Sequence, residues 1–180
     1  MFFTFEAKND CDNALRSVAK GDKSALVEIY REYGKMIYSL AFHYSGSKSD
    51  AEDILQDTML KIMKQAHNYR HGSSPKAWVL SVARSCALDY VKKRGDGISL
   101  DAFDTDIAFT TDSDEHIYIA DALKTLTKDE QILLKLRYYA GLDLKEAAKV
   151  LNISHSAARK RCQRALDKLK DYFDEKEEIK

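Results

Sequence analysis

The sequence predicts an all-α protein of two helical domains joined by an acidic linker, and three observations point there. The 180-residue chain holds one proline and seven glycines, which leaves little room for the many turns of a sheet protein. Apolar residues recur at spacings of three and four between recognisable helix caps. Charge is blocked along the chain although the net charge is zero. Residues 1–94 carry 15 Lys/Arg against 11 Asp/Glu, residues 95–120 none against 7, and residues 121–173 carry 12 against 7. The acidic stretch, "GDGISLDAFDTDIAFTTDSDE", has no helical period and reads as a linker. Its Phe103, Ile107 and Phe109 are apolar for a pure tether and suggest that it lies on something. The expected division is 1–94, a linker at 95–114, a second domain at 115–174 and a charged, frayed tail at 175–180.

In the first domain, "DKSALVEIYREYGKMIYSLAFHY" starts at an Asp22 cap. It repeats Leu26, Ile29, Tyr30, Tyr33, Ile37, Leu40 and Ala41 at helical spacing. In "SKSDAEDILQDTMLKIMKQA", Ser49 and Glu52 have capping-box spacing. Ala51, Ile54, Leu55, Thr58, Ile62 and Ala66 make the buried stripe there. Asp53, Gln56, Asp57 and Leu60 fall on the other side, with Met63 at the flank. An apolar anchor ringed by hydrogen-bonding groups has the make-up of a small docking face. In "SSPKAWVLSVARSCALDYVKKR", Ser74 caps and Pro75 suits the first helical position. Val79, Val82, Ala83, Cys86 and Tyr90 are the expected core, while Ser81, Arg84, Ser85, Leu88 and Lys92 point away. The preceding loop "YRHGSS" carries Tyr69, Arg70 and His71, a set able to hold an unstacked base between aromatic and cationic planes.

The second domain carries the most specific signal. "TKDEQILLKLRYYAG" opens with a Thr127–Glu130 capping box and stops at Gly141. "DLKEAAKVLN" opens with Asp143–Glu146 and ends near Asn152, and a basic helix follows with Ser154 as its cap. Helix, tight turn and helix make a helix-turn-helix. On the second helix Ala158, Cys162, Ala165 and Leu169 form a narrow stripe of mainly small side chains, which permits close packing. Ser156, Lys160, Gln163 and Arg164 project oppositely, with Arg159 at the edge. In a helix-turn-helix that face enters the major groove, where Arg and Gln pair with guanine and adenine edges.

Other classes find less support. The cysteines, Cys11, Cys86 and Cys162, are odd in number and far apart, so neither disulfides nor a zinc site is expected. No apolar run approaches the roughly 20 residues of a bilayer span, and the start has no basic head or small-residue cleavage site. A cytoplasmic protein without membrane insertion is expected. His43, His67, His71, His116 and His155 form no HExxH motif, and no phosphate loop or nucleophile motif occurs, so neither enzyme activity nor a cofactor is expected. The rival reading is a conventional helix-turn-helix regulator that dimerises through its N-terminal helices, although no heptad repeat supports the dimer.

Three segments together resemble the extracytoplasmic-function (ECF) type of RNA polymerase sigma factor, within the sigma-70 family. "AEDILQDTMLKIMKQ" is similar to the family's polymerase-binding helix, with Asp53, Gln56 and Asp57 at its Asp-x-x-Gln-Asp/Glu core. "SPKAWVLSVARSCALDYVKKR" resembles the helix bearing Trp and an Ile-Ala-Arg-Asn run, matched by Trp78 and Val82 to Ser85. "LTKDEQILLKLRYYAGLDLKEAAKVLNIS" with the basic helix resembles the promoter-reading helix-turn-helix. The resemblance implies an initiation factor that binds core RNA polymerase. Asp53, Gln56, Asp57 and Leu60 would dock on the coiled coil of its largest subunit, and the beta subunit flap would be a further contact. Arg70, His71, Ser74, Lys76, Trp78, Arg84, Ser85 and Lys92 would capture and open the −10 element of promoter DNA. Ser156, Arg159, Lys160, Gln163 and Arg164 would read the −35 element. The linker would thread near the active-site cleft, and an anti-sigma factor is an implied partner. Ser85 departs from the family's usual Asn, and "HSAA" stands where Gly-Thr-Val is common.

Overall fold

The computed structural model describes residues 6–95 and 114–177. Contacts divide the chain into two compact units, Met1–Ser99 and Leu100–Lys180, and every described element is helical. Phe103, Ile107 and Phe109 of the expected linker lie outside the described residues.

The first unit contains α1 (Glu6–Ala19), a 3₁₀ turn (Lys23–Ala25), α2 (Leu26–Ser45), α3 (Lys48–Gln65), a second 3₁₀ turn (Ala66–Asn68) and α4 (Pro75–Arg94). The sequence reading contained no helix at α1, although Cys11, Ala14, Leu15 and Val18 recur at helical spacing and are all buried. α2 packs on both α3 and α4, and α1 covers α2 and the second turn. Leu15, Ile29, Ile37, Ile54, Ile62, Val79 and Leu80 are fully buried at the centre. Each removes apolar area worth about 1.5–3 kcal/mol from water.

Local chemistry sets the helix ends. Asp22 accepts from the Ser24 N–H at 3.0 Å and starts the 3₁₀ turn ahead of α2. Gly46, at φ 71°, ends α2 in the left-handed conformation. The chain has therefore turned by Ser47, which caps α3 by accepting from the Asp50 N–H at 3.3 Å. The cap lies two residues before the expected Ser49–Glu52 box, because the left-handed glycine brings the turn forward. Tyr30 also departs from expectation, being 55% exposed. One position round from buried Ile29, it falls outside the core arc, and its ring lies over Gly34, where an added Cβ would stand 3.5 Å from it. Tyr90 is half-buried because its hydroxyl donates to Asp50 at 3.0 Å.

The second unit contains α5 (Asp114–Lys124), α6 (Lys128–Leu134), a wider π turn (Lys135–Tyr139), α7 (Leu144–Leu151) and α8 (His155–Glu177). Both capping boxes form as read, Thr127 with Glu130 and Asp143 with Glu146. Gly141 (φ 66°) and Asn152 (φ 54°) supply the left-handed turns before and after α7. Ser154 accepts from the Ala157 N–H at 3.1 Å and starts α8, which runs through residues 175–177 of the expected tail.

Glu130 serves two elements. It completes the cap of α6 by accepting from the Thr127 N–H at 2.9 Å, and it accepts from Lys168 of α8 at 2.8 Å. Burial pushes its carboxyl up, but Lys168 and the Thr127 donors outweigh burial and hold it below its ordinary value of 4.5. A depressed carboxyl stabilises fully above its unfolded pKa, and that stability is lost as pH falls through the folded one. Glu130→Gln should therefore lower stability by about 1–3 kcal/mol at neutral pH. It should also flatten the loss below about pH 4.5, as urea titrations followed by circular dichroism across the acid range would show.

Candidate functional site

Three faces collect the residues singled out from sequence. On α3, Ala51, Ile54, Thr58 and Ile62 are buried. The helical repeat then turns Asp53, Gln56 and Asp57 to solvent, and Leu60 is 51% exposed. Thr58 lies in the core without an orphan hydroxyl, because it donates to the Ile54 carbonyl at 2.7 Å.

The second face is the loop between the Ala66–Asn68 turn and α4, together with α4 itself. Arg70, His71 and Lys92 are exposed, and Ser74, Lys76, Trp78, Arg84 and Ser85 are half-buried. Several of these already have partners. Ser74 caps α4 by accepting from the Ala77 N–H at 3.3 Å. The Trp78 ring stands edge-on to Tyr69, centroids 5.5 Å apart. Arg84 Nε donates to the Tyr44 hydroxyl at 3.1 Å, and Lys61 of α3 donates to the Ser85 hydroxyl at 3.0 Å. Arg84 and Ser85 were expected to point away; instead they tie α4 to its neighbours.

The residue that sequence reasoning missed here is Asp12 of α1. Its carboxylate accepts from the Tyr69 hydroxyl at 2.5 Å and the Gly72 N–H at 3.0 Å, and it pairs with His71. Burial pushes the Asp12 carboxyl up, but Tyr69, Gly72 and His71 outweigh burial and leave it below its ordinary value. Burial and the neighbouring carboxylate raise the Tyr69 hydroxyl, so it remains a proton donor.

The third face is α8. Ala158, Cys162 and Ala165 are buried, while Ser156, Arg159, Lys160, Gln163 and Arg164 are exposed together. Arg161 lies on the other side and pairs with Asp129 at 3.1 Å, so it belongs to the framework and not to the basic face. Gln163 donates to Asp167 one turn on, at 2.8 Å, which engages one of its two amide N–H groups. Helix α8 with α7 and the turn between them forms a helix-turn-helix, whose basic face suits phosphates and base edges.

The structure thus defines an all-helical chain with a helix-turn-helix unit, and comparison with known proteins sharpens that class. Residues 29–96 match Sigma-70 region 2, and residues 122–171 match Sigma-70, region 4. The chain belongs to the sigma-70 family of transcription initiation factors, as an ECF RNA polymerase sigma factor. It is 28% identical over 169 residues to the ECF RNA polymerase sigma factor SigE of Mycolicibacterium smegmatis, covering 86% of this chain and 65% of SigE. It is 27% identical over 161 residues to the ECF RNA polymerase sigma factor SigX of Bacillus subtilis, covering 81% of this chain and 82% of SigX. The fold resembles that of the sigma factor RpoE in its complex with the anti-sigma factor NepR from Bartonella quintana. The TM-score is 0.63 at 21% identity, over 82% of this chain and 97% of that one. Two sigma regions in order favour an initiation factor over the dimeric regulator. Among the described residues, no helix is long and apolar enough to cross a membrane.

The close seating of α8 depends on small side chains, and that is testable. Ala158 is fully buried, so Ala158→Leu would force α8 outward or strain its rotamers. It should cost about 1–3 kcal/mol, read as a lowered urea midpoint.

Proposed function

We propose that this chain binds core RNA polymerase and directs it to a particular set of promoters, acting in the cytoplasm without chemistry or cofactor of its own. Asp53, Gln56, Asp57 and Leu60 dock on the coiled coil of the largest subunit. Leu60 is the apolar anchor, and the polar groups around it fix the register. The loop at Arg70 and His71, with Ser74, Lys76, Trp78, Arg84, Ser85 and Lys92, captures the −10 strand as it opens. Ser156, Arg159, Lys160, Gln163 and Arg164 read the −35 element, and the second unit also meets the beta flap. The observation that carries this reading is the order of the two sigma regions, each presenting an exposed face of suitable chemistry.

Two modules are needed because each alone is weak. Nonspecific DNA affinity is typically about 10⁻⁴–10⁻⁶ M. Docking both modules on one polymerase makes the second DNA contact intramolecular and raises its effective concentration. An anti-sigma factor, the partner class seen on RpoE, would control this chain by competing for the same faces.

The deciding experiment mixes purified protein with core polymerase, follows gel filtration, and probes the complex for melted DNA on a promoter upstream of its own gene. Co-elution with melted −10 DNA is expected. Nanomolar sequence-specific binding of a palindrome by the free protein would instead establish a conventional regulator.

Asp53→Ala with Gln56→Ala should abolish co-elution while the circular dichroism spectrum stays that of wild type. Core binding that survives both changes would move the docking face elsewhere. Arg164→Ala should weaken holoenzyme binding by about 1–3 kcal/mol, mostly at one −35 position, in a competition series across base substitutions. Arg161→Ala, which removes only the Asp129 pair, should leave that profile unchanged.

A further inference from the structure

We propose that Asp12 is a positioning residue for strand capture: it holds the loop at Arg70 in its DNA-binding conformation from outside the segment that matches the family. The inference rests on the proposal that this loop takes the −10 strand. Asp12 lies on α1, before the matched region that begins at residue 29. One carboxylate grips the loop on both sides of Arg70: the Tyr69 hydroxyl before it, and the Gly72 N–H and His71 ring after it.

The loop's own bonds close the arrangement. The Ser73 N–H and hydroxyl both donate to the Arg70 carbonyl, at 3.1 and 2.7 Å, and the Tyr69 hydroxyl also reaches the Ser73 carbonyl at 3.2 Å. Gly72 sits at φ +80°, a conformation that glycine adopts without steric cost and that brings its N–H to Asp12. Trp78 packs edge-on against the Tyr69 ring from α4. Asp12 is mostly buried, while Arg70 is exposed.

Such a loop would bind an unstacked strand without first losing conformational freedom, since the cost of ordering it is met on folding. Without the carboxylate, Tyr69 and Gly72 lose their shared acceptor. Arg70 would then sample many positions, and strand binding would weaken by the cost of re-ordering them.

The test uses full-length holoenzyme and a fluorescent single-stranded −10 oligonucleotide, beside a double-stranded −35 probe and a core-binding titration. Asp12→Ala and Tyr69→Phe should each weaken capture of the single strand about tenfold, and Asp12→Asn, which retains one acceptor for Gly72, by less. Core affinity and −35 binding should stay at wild-type values for all three. Equal loss in all three assays would show a merely structural role and overturn the inference. Undiminished strand capture by Asp12→Ala and Tyr69→Phe would also overturn it. Arg70→Ala separates the two levels. If it weakens capture while the Asp12 and Tyr69 variants do not, only the positioning role fails. If Arg70→Ala has no effect, the loop reading itself fails and the inference falls with it.

Discussion

Four carboxylates hold the framework of both units, and the placing of the exposed basic groups depends on them. Asp12 grips the loop at His71, Asp50 grips Tyr90 and Arg94, Asp129 holds Arg161, and Glu130 holds Lys168. Asp50, Asp129 and Glu130 each engage a basic partner that then belongs to the framework. This explains how a chain of zero net charge can offer a basic face. Acidic and basic residues balance in number but not in place. On α8, Arg161 and Lys168 turn back to α6, while Arg159, Lys160 and Arg164 are left facing solvent. A salt bridge with an exposed partner adds little stability by itself. Its larger effect here is to fix which bases remain outside.

Small side chains complete the same task on α8. Ala158, Cys162 and Ala165 bury little apolar area each, so they stabilise less than a leucine stripe would. They let the helix backbone approach its support closely, and the ion pairs to Asp129 and Glu130 set its rotation. The helix then presents its polar side as a rigid ridge, the shape that a major groove admits.

The parts of this structure that were legible in the sequence are those built from neighbours in the chain. The two capping boxes, the Ser154 cap, the Gly141 stop and the small stripe of α8 each depend on residues a few positions apart, so spacing alone reveals them. The exposure of Asp53, Gln56 and Leu60 follows in the same way from the helical repeat. What stayed hidden is long-range or competitive. Asp12 meets Tyr69 and Gly72 across 57 and 60 residues, a pairing that no local pattern encodes. The α3 cap went to Ser47 over Ser49 because a left-handed glycine had already turned the chain. The π turn at Lys135–Tyr139 carries no local signal of its own, since its residues fit an ordinary helix equally well.

Position 85 shows how one short side chain can join two helices. A serine hydroxyl is compact and accepts readily, and Lys61 reaches across from α3 to donate to it, with Asp89 as a second, more distant acceptor at 3.4 Å. Lys61 stands one helical turn after Asp57 on α3, the helix proposed to dock on polymerase, whereas Ser85 belongs to α4, the helix proposed to meet the −10 strand. The bond between them adds a polar tie to the packing of α3 on α4. A longer amide at position 85 would bring its own donors and displace the lysine. The short hydroxyl therefore decides which group, an amide or an ammonium, stands at this position of α4.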